Sequence, residues 1–101
     1  MRKTPLTRRR LLRTLKTIKP ELAQKYYVKQ LGLFGSFARG EQSKASDVDI
    51  LVEFRQPIGL FKFLELEERL ESALDHKVDL VSRKALKPRI GRHILNEAVM
   101  L

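Results

Sequence analysis

The chain has 101 residues, 43% of them hydrophobic, no cysteine, and a formal net charge of +9. That length allows one domain with one compact core, burying about 60–70% of the surface of its unfolded form, and leaves no room for a deep enclosed pocket as well. The composition excludes a disordered chain, disulfide staples and thiolate metal sites, and no apolar run of the roughly 7–15 residues of a secretory signal or ~20 of a membrane span follows the basic start, so a soluble, cytoplasmic protein is expected.

The charge is unevenly spread. Residues 1–30 hold ten Lys or Arg against one acid, Glu21, whereas residues 31–101 hold eleven of each sign. A basic N-terminal helical segment, 1–19, is therefore expected ahead of a neutral domain, 20–101. Polyanions and acidic partners are candidates for the segment, and so is a plain solvated helix face. Nucleic acid is the disfavoured partner, because no nucleic-acid-binding motif is present and aromatics do not interleave with the basic run.

Leu11, Leu15, Ile18 and Leu22 recur at helical spacing, with Thr7 placed to cap, which predicts a helix over 7–19. Pro20 is expected to end it and to open a short second helix, 20–26. Val28 to Phe34 reads as a strand running into a Gly35-Ser36 turn, followed by a loop or short helical turn over 37–46. Asp47 to Phe54 reads as the clearest strand, with Val48, Ile50, Val52 and Phe54 on one face and Asp47, Asp49 and Leu51 on the other. A helix follows over 60–74, its broad face drawn through Leu60, Phe63, Leu64, Glu67, Leu70 and Leu74. Lys77 to Val81 reads as a third strand, and Ser82 is a candidate cap. Pro88 is expected to open a last helix over 89–98 with Ile90, Ile94, Leu95 and Ala98 inward, and 99–101 to end as a short extended tail. The expected fold is mixed α/β (α+β), a small three- to four-stranded sheet with helices packed against it.

Asp47 and Asp49 project the same way from one strand. Like charges at that spacing repel, so a cation between them is the readiest use for the pair, and magnesium suits a few carboxylates plus phosphate oxygens. Two solvated strand-end acids are the plainer alternative. Gly35 and Ser36 offer backbone N–H groups and a hydroxyl to an anion, with glycine allowing close approach. Arg39, three residues on from Ser36, adds a planar donor fork for phosphate or for fixing the 35–46 loop. Asp79 stands between apolar neighbours in KVDLV. It is either an edge-strand acid facing water or, if its strand lies beside 47–54, a third carboxylate for a site with room for two metal ions.

Together these residues resemble a known family. Gly-Ser, ten intervening residues, then Asp-x-Asp, here GSFARGEQSKASDVD over 35–49, is the signature of the DNA polymerase beta-like nucleotidyltransferases. The stretch LFGSFARGEQSKASDVDILV, the helix GLFKFLELEERLE and KVDLVSRKALKP look like the minimal nucleotidyltransferase (MNT) subfamily, with the likeness covering about residues 20–101. The resemblance implies the polymerase beta-like fold. It also implies a metal site of Asp47, Asp49 and Asp79 for Mg2+, with Asp79 helping to activate an acceptor hydroxyl, and Gly35 and Ser36 on the triphosphate of ATP. It implies a HEPN-family helical RNase toxin as partner, neutralised by AMP transfer to a tyrosine, by complex formation, or by both.

Overall fold

The computed structural model describes residues 5–101, so the first four residues of the expected basic segment lie outside the described part. The elements in chain order are α1 (Arg8–Tyr26), β1 (Val28–Phe34), α2 (Gly35–Arg39), β2 (Val48–Phe54), α3 (Leu60–Leu74), β3 (Val78–Ser82), a 3-10 turn (Arg83–Ala85), α4 (Pro88–Glu97) and β4 (Val99–Met100). The four strands form one sheet in the order β3-β2-β1-β4. The β1–β2 and β1–β4 pairs are antiparallel and β2–β3 is parallel, with α3 as its crossover. This is the mixed α/β architecture expected from the sequence.

Alternation along the strands divides the sheet into two faces. Leu31 and Leu33 of β1 lie opposite Val52 and Ile50 of β2, and all four are buried. They meet Leu11, Leu15 and Leu22 of α1 and Leu66, Leu70 and Leu74 of α3 in one core cluster. Across the sheet the other set of residues is Gly32 and Phe34 of β1, Asp49 and Leu51 of β2, and Asp79 of β3.

Pro20 corrects the expectation of two helices, because it lies inside a single helix, α1, which runs through the expected 19/20 boundary. Proline removes one helical hydrogen bond, here to the carbonyl of Lys16, and typically costs about 3 kcal/mol in a helix interior. Two features offset this. The ring is on the exposed side, where water can reach the freed carbonyl, and Leu11 and Leu15 before it share a core with Leu22 and Tyr26 after it. Thr7 caps as expected, accepting from the Arg10 N–H at 3.2 Å.

The face of α3 is also corrected. Its buried stripe is Leu66, Leu70 and Leu74, with Phe63 partly buried against the core. Leu60 is 69% and Leu64 44% exposed, and Leu60 lines an open cleft of about 430 Å3 with Phe54, Ile58 and Phe63. In α4, Ile90 is 54% exposed, and the buried position is Gly91, whose missing side chain lets Leu86 pack close. Ser82 precedes the 3-10 turn but makes no capping bond with its side chain. The expected short extended tail is present as β4, whose Val99 and Met100 pair with Leu33 and Gly32 and add the fourth strand.

Among the described residues, no helix is long and apolar enough to cross a membrane.

Candidate active site

The end of β1, the start of β2 and the start of β3 meet at one edge of the molecule. Phe34 lies opposite Asp49, and Asp49 lies opposite Asp79, so the strand register sets the two aspartates side by side on the same face. Asp47 sits just ahead of β2 rather than inside it. Its neighbour Val48 is tied down by donation of its N–H to the Lys77 carbonyl at 2.9 Å, which also anchors the start of β3. The condition set by the sequence, that the strand of Asp79 lie beside 47–54, is therefore met. Asp79 is exposed on an edge strand, whereas Asp47 and Asp49 are half-buried.

Electrostatics register this crowding. Burial, then Asp79, then Asp47 push the Asp49 carboxyl above the usual aspartate range, Arg39 partly counters them, and Glu97 adds to the rise. Gly35, at the other side of Asp49, has a φ of +75°. A Cβ built on Gly35 would stand 2.1 Å from Asp49 Oδ2, so the absence of a side chain is what lets the turn and the carboxylate share this space. Of the loop or short helical turn expected over 37–46, the helical turn is present as α2, but it begins earlier, at Gly35 itself, and buries Phe37.

A cation fits this donor set: hard carboxylate oxygens, mutually repelling, facing a glycine turn. Among the described residues, no three His, Cys, Asp or Glu side chains converge as a preformed metal cage. Magnesium does not require one, since it is commonly held by one or two carboxylates together with substrate phosphate oxygens and water.

Two acids join the site without having been singled out in the sequence. Glu97, the last residue of α4, accepts the Gly35 N–H at 2.7 Å and the Arg39 Nη1 at 2.8 Å through the same Oε1. Glu41 accepts from Arg39 Nε at 3.0 Å. The Arg39 fork thus holds two carboxylates and ties the turn to α4, and those partners raise its already high pKa, Glu41 foremost. No local spacing links Glu97 to Gly35, 62 positions away. Its one signal in the sequence is that it is the sole acid after Asp79.

Fold and site geometry together define a nucleotidyltransferase, and comparison with known proteins bears this out. The nucleotidyltransferase domain family matches residues 15–101, and the chain belongs to it. A curated relative, the protein adenylyltransferase MntA of Thermococcus cleftensis, is 48% identical over 81 residues, which cover 80% of this chain and 82% of the relative. A solved structure described as a minimal nucleotidyltransferase superposes with a TM-score of 0.85 at 31% identity, covering 96% of this chain and 98% of that one. A toxin–antitoxin crystal structure with AMP-PNP superposes with a TM-score of 0.69 at 26% identity, covering 94% of this chain and 72% of that one.

Proposed function

We propose that the protein is a magnesium-dependent protein adenylyltransferase acting in the cytoplasm as an antitoxin, moving AMP from ATP to a tyrosine of a HEPN-family RNase toxin. The observation that carries this reading is the register that sets Asp49 beside Asp79, with Asp47 two residues away and the Gly35 turn against Asp49. The adenylyltransferase relative and the toxin–antitoxin structure with AMP-PNP support the nucleotide and the partner.

In this reading Asp47 and Asp49 hold magnesium and Asp79 completes its site. Bound magnesium supplies charge neutralisation at the phosphate oxygens. The Ser36 hydroxyl, the Gly35 N–H and the Arg39 fork take the triphosphate, and Arg39 also orients the 35–46 loop around it. The tyrosine oxygen forms a bond to the α-phosphorus, the bond to the bridging oxygen breaks, and pyrophosphate leaves. The tyrosine hydroxyl, with a pKa of about 10, is protonated at neutral pH. Asp79, exposed at the sheet edge, is the carboxylate open to an acceptor arriving from outside and takes that proton. Because the described fold adds no lid over this edge, the partner protein itself supplies the acceptor and shields the site.

The test is AMP incorporation into the partner, read by mass spectrometry, alongside complex formation by gel filtration. Wild type is expected to add AMP to a tyrosine, and the folded Asp47→Asn, Asp49→Asn double variant to add none while losing magnesium-dependent nucleotide binding. A wild type that silences its partner by binding alone, with no mass gain under any condition, overturns the enzyme in favour of a binding antitoxin.

A further inference from the structure

Glu97 lies where the nucleotide reading puts substrate. Its Oε1 takes a backbone N–H and a guanidinium N–H together, at 2.7 and 2.8 Å. This is the pair of donors that a phosphate oxygen would take at the same turn, and each is strengthened by the charge of the acceptor. The side chain is delivered with little freedom. Glu97 ends α4, and two residues later Val99 is hydrogen-bonded into the sheet opposite Leu33. Leu33 is itself two residues before Gly35, so strand pairing carries Glu97 to the turn.

The charge balance around it disfavours an incoming anion. Asp47, Asp49 and Asp79 already crowd one end of the sheet, and the influence of Glu97 reaches Asp49. The cation at the turn, Arg39, is held by Glu41 and Glu97. A triphosphate meets an anion site whose donors are already taken by a carboxylate.

We propose that Glu97 is a positioning residue that preforms the phosphate turn by occupying it, and that the triphosphate must displace its carboxylate from Gly35 and Arg39 in order to bind. The proposal rests on the reading of Gly35, Ser36 and Arg39 as the triphosphate side of the site. Displacement frees Arg39 Nη1 at the moment a phosphate arrives, while Glu41 keeps Nε, and it unlatches α4 from the turn. Glu97 thereby tunes affinity downward while keeping the turn in its binding shape. A residue that only staples α4 to the turn has the opposite signature, since cutting a staple loosens the turn and weakens binding.

The measurement is the Kd of Mg-AMP-PNP for the full chain by calorimetry, with wild type, Glu97→Gln and Glu97→Ala. Glutamine keeps the shape and an acceptor for Gly35 but removes the charge, so Glu97→Gln is expected to bind roughly tenfold more tightly, the scale of one charge-assisted hydrogen bond no longer opposed, and Glu97→Ala, which also gives up the preformed turn, to gain less than Glu97→Gln. Arg39→Ala is expected to cost more affinity in the Glu97→Gln background than in wild type, because only there is Arg39 Nη1 released from a competing charge beforehand. A readout independent of nucleotide is the Gly35 amide resonance, which is expected to move upfield in both variants. Unchanged or weaker binding by Glu97→Gln overturns displacement and leaves the site reading standing. An unmoved Gly35 amide overturns the contact itself. A wild type that binds no nucleotide overturns the site reading, and the proposal with it.

Discussion

Replacing Gly35 with alanine tests whether the turn and the carboxylates form one unit. Two separable costs follow from the structure. The backbone at Gly35 has φ +75°, a region that costs an L-residue about 1–2 kcal/mol. The added Cβ would also stand 2.1 Å from Asp49 Oδ2 and 3.0 Å from its Cγ, so the carboxylate must move. Forced repacking of that kind typically costs about 1–3 kcal/mol. Together the loss is about 2–5 kcal/mol, a large share of the roughly 5–15 kcal/mol that holds a small domain folded. Gly40→Ala is the internal control. It has a similar φ of +71° but nothing within 4 Å of its Cβ, so only the backbone cost applies. Urea unfolding of both variants separates the two costs. A double-mutant cycle of Gly35→Ala with Asp49→Ala is expected to return a coupling of roughly 1–3 kcal/mol, because removing the carboxylate relieves the clash. If Gly35→Ala destabilises no more than Gly40→Ala, or if the cycle shows no coupling, the close approach of Gly35 to Asp49 is not what shapes the site.

Asp79→Asn is expected to leave Mg-AMP-PNP affinity nearly unchanged and to cut AMP transfer about 100-fold, the usual scale for a positioned acid–base group; equal transfer by mass spectrometry removes Asp79 from the proton path. Asp49→Asn also bears on stability, apart from the metal role of Asp49. Burial, Asp79 and Asp47 raise the folded-state pKa of Asp49 above its ordinary 3.8, so what Asp49 contributes is fully present below that value and is lost as pH rises through the folded pKa. The asparagine variant is therefore expected to be more stable than wild type at about pH 7, with the difference shrinking in acid. Urea midpoints showing the gain only at low pH contradict the sign.

The sequence made the strands and the motif legible because both are local. Alternation over Val48–Phe54 lies within one strand, the Gly-Ser and Asp-x-Asp pairs each fall within two or three residues, and the local backbone geometry follows from them. What escaped was set by tertiary contact. Pro20 reads as a breaker until the leucines on both sides of it are seen to share one core. The phase of α3 slipped because Leu60, Leu64 and Leu66 are all apolar, and only the sheet beneath selects Leu66. Glu97 was silent because its partners, Gly35 and Arg39, are brought to it by the pairing of β4 with β1.

The contact between Gly35 and Asp49 bears on the length of the signature. Ten residues separate Ser36 from Asp47, yet the two halves are fixed by a direct approach and by the pairing of Phe34 with Asp49, not by the chain between them. The middle of that connector, Ser43 to Ala45, is exposed and closes on itself through Ser43 and Ser46. Lengthening a flexible connector is thermodynamically mild, about 0.6 kcal/mol for each doubling. Extra residues at Lys44 or Ala45 would lengthen the motif as written while leaving the chemistry where it is. The spacing is then a property of the tether, and an altered spacing does not by itself mark a chain as unable to bind nucleotide.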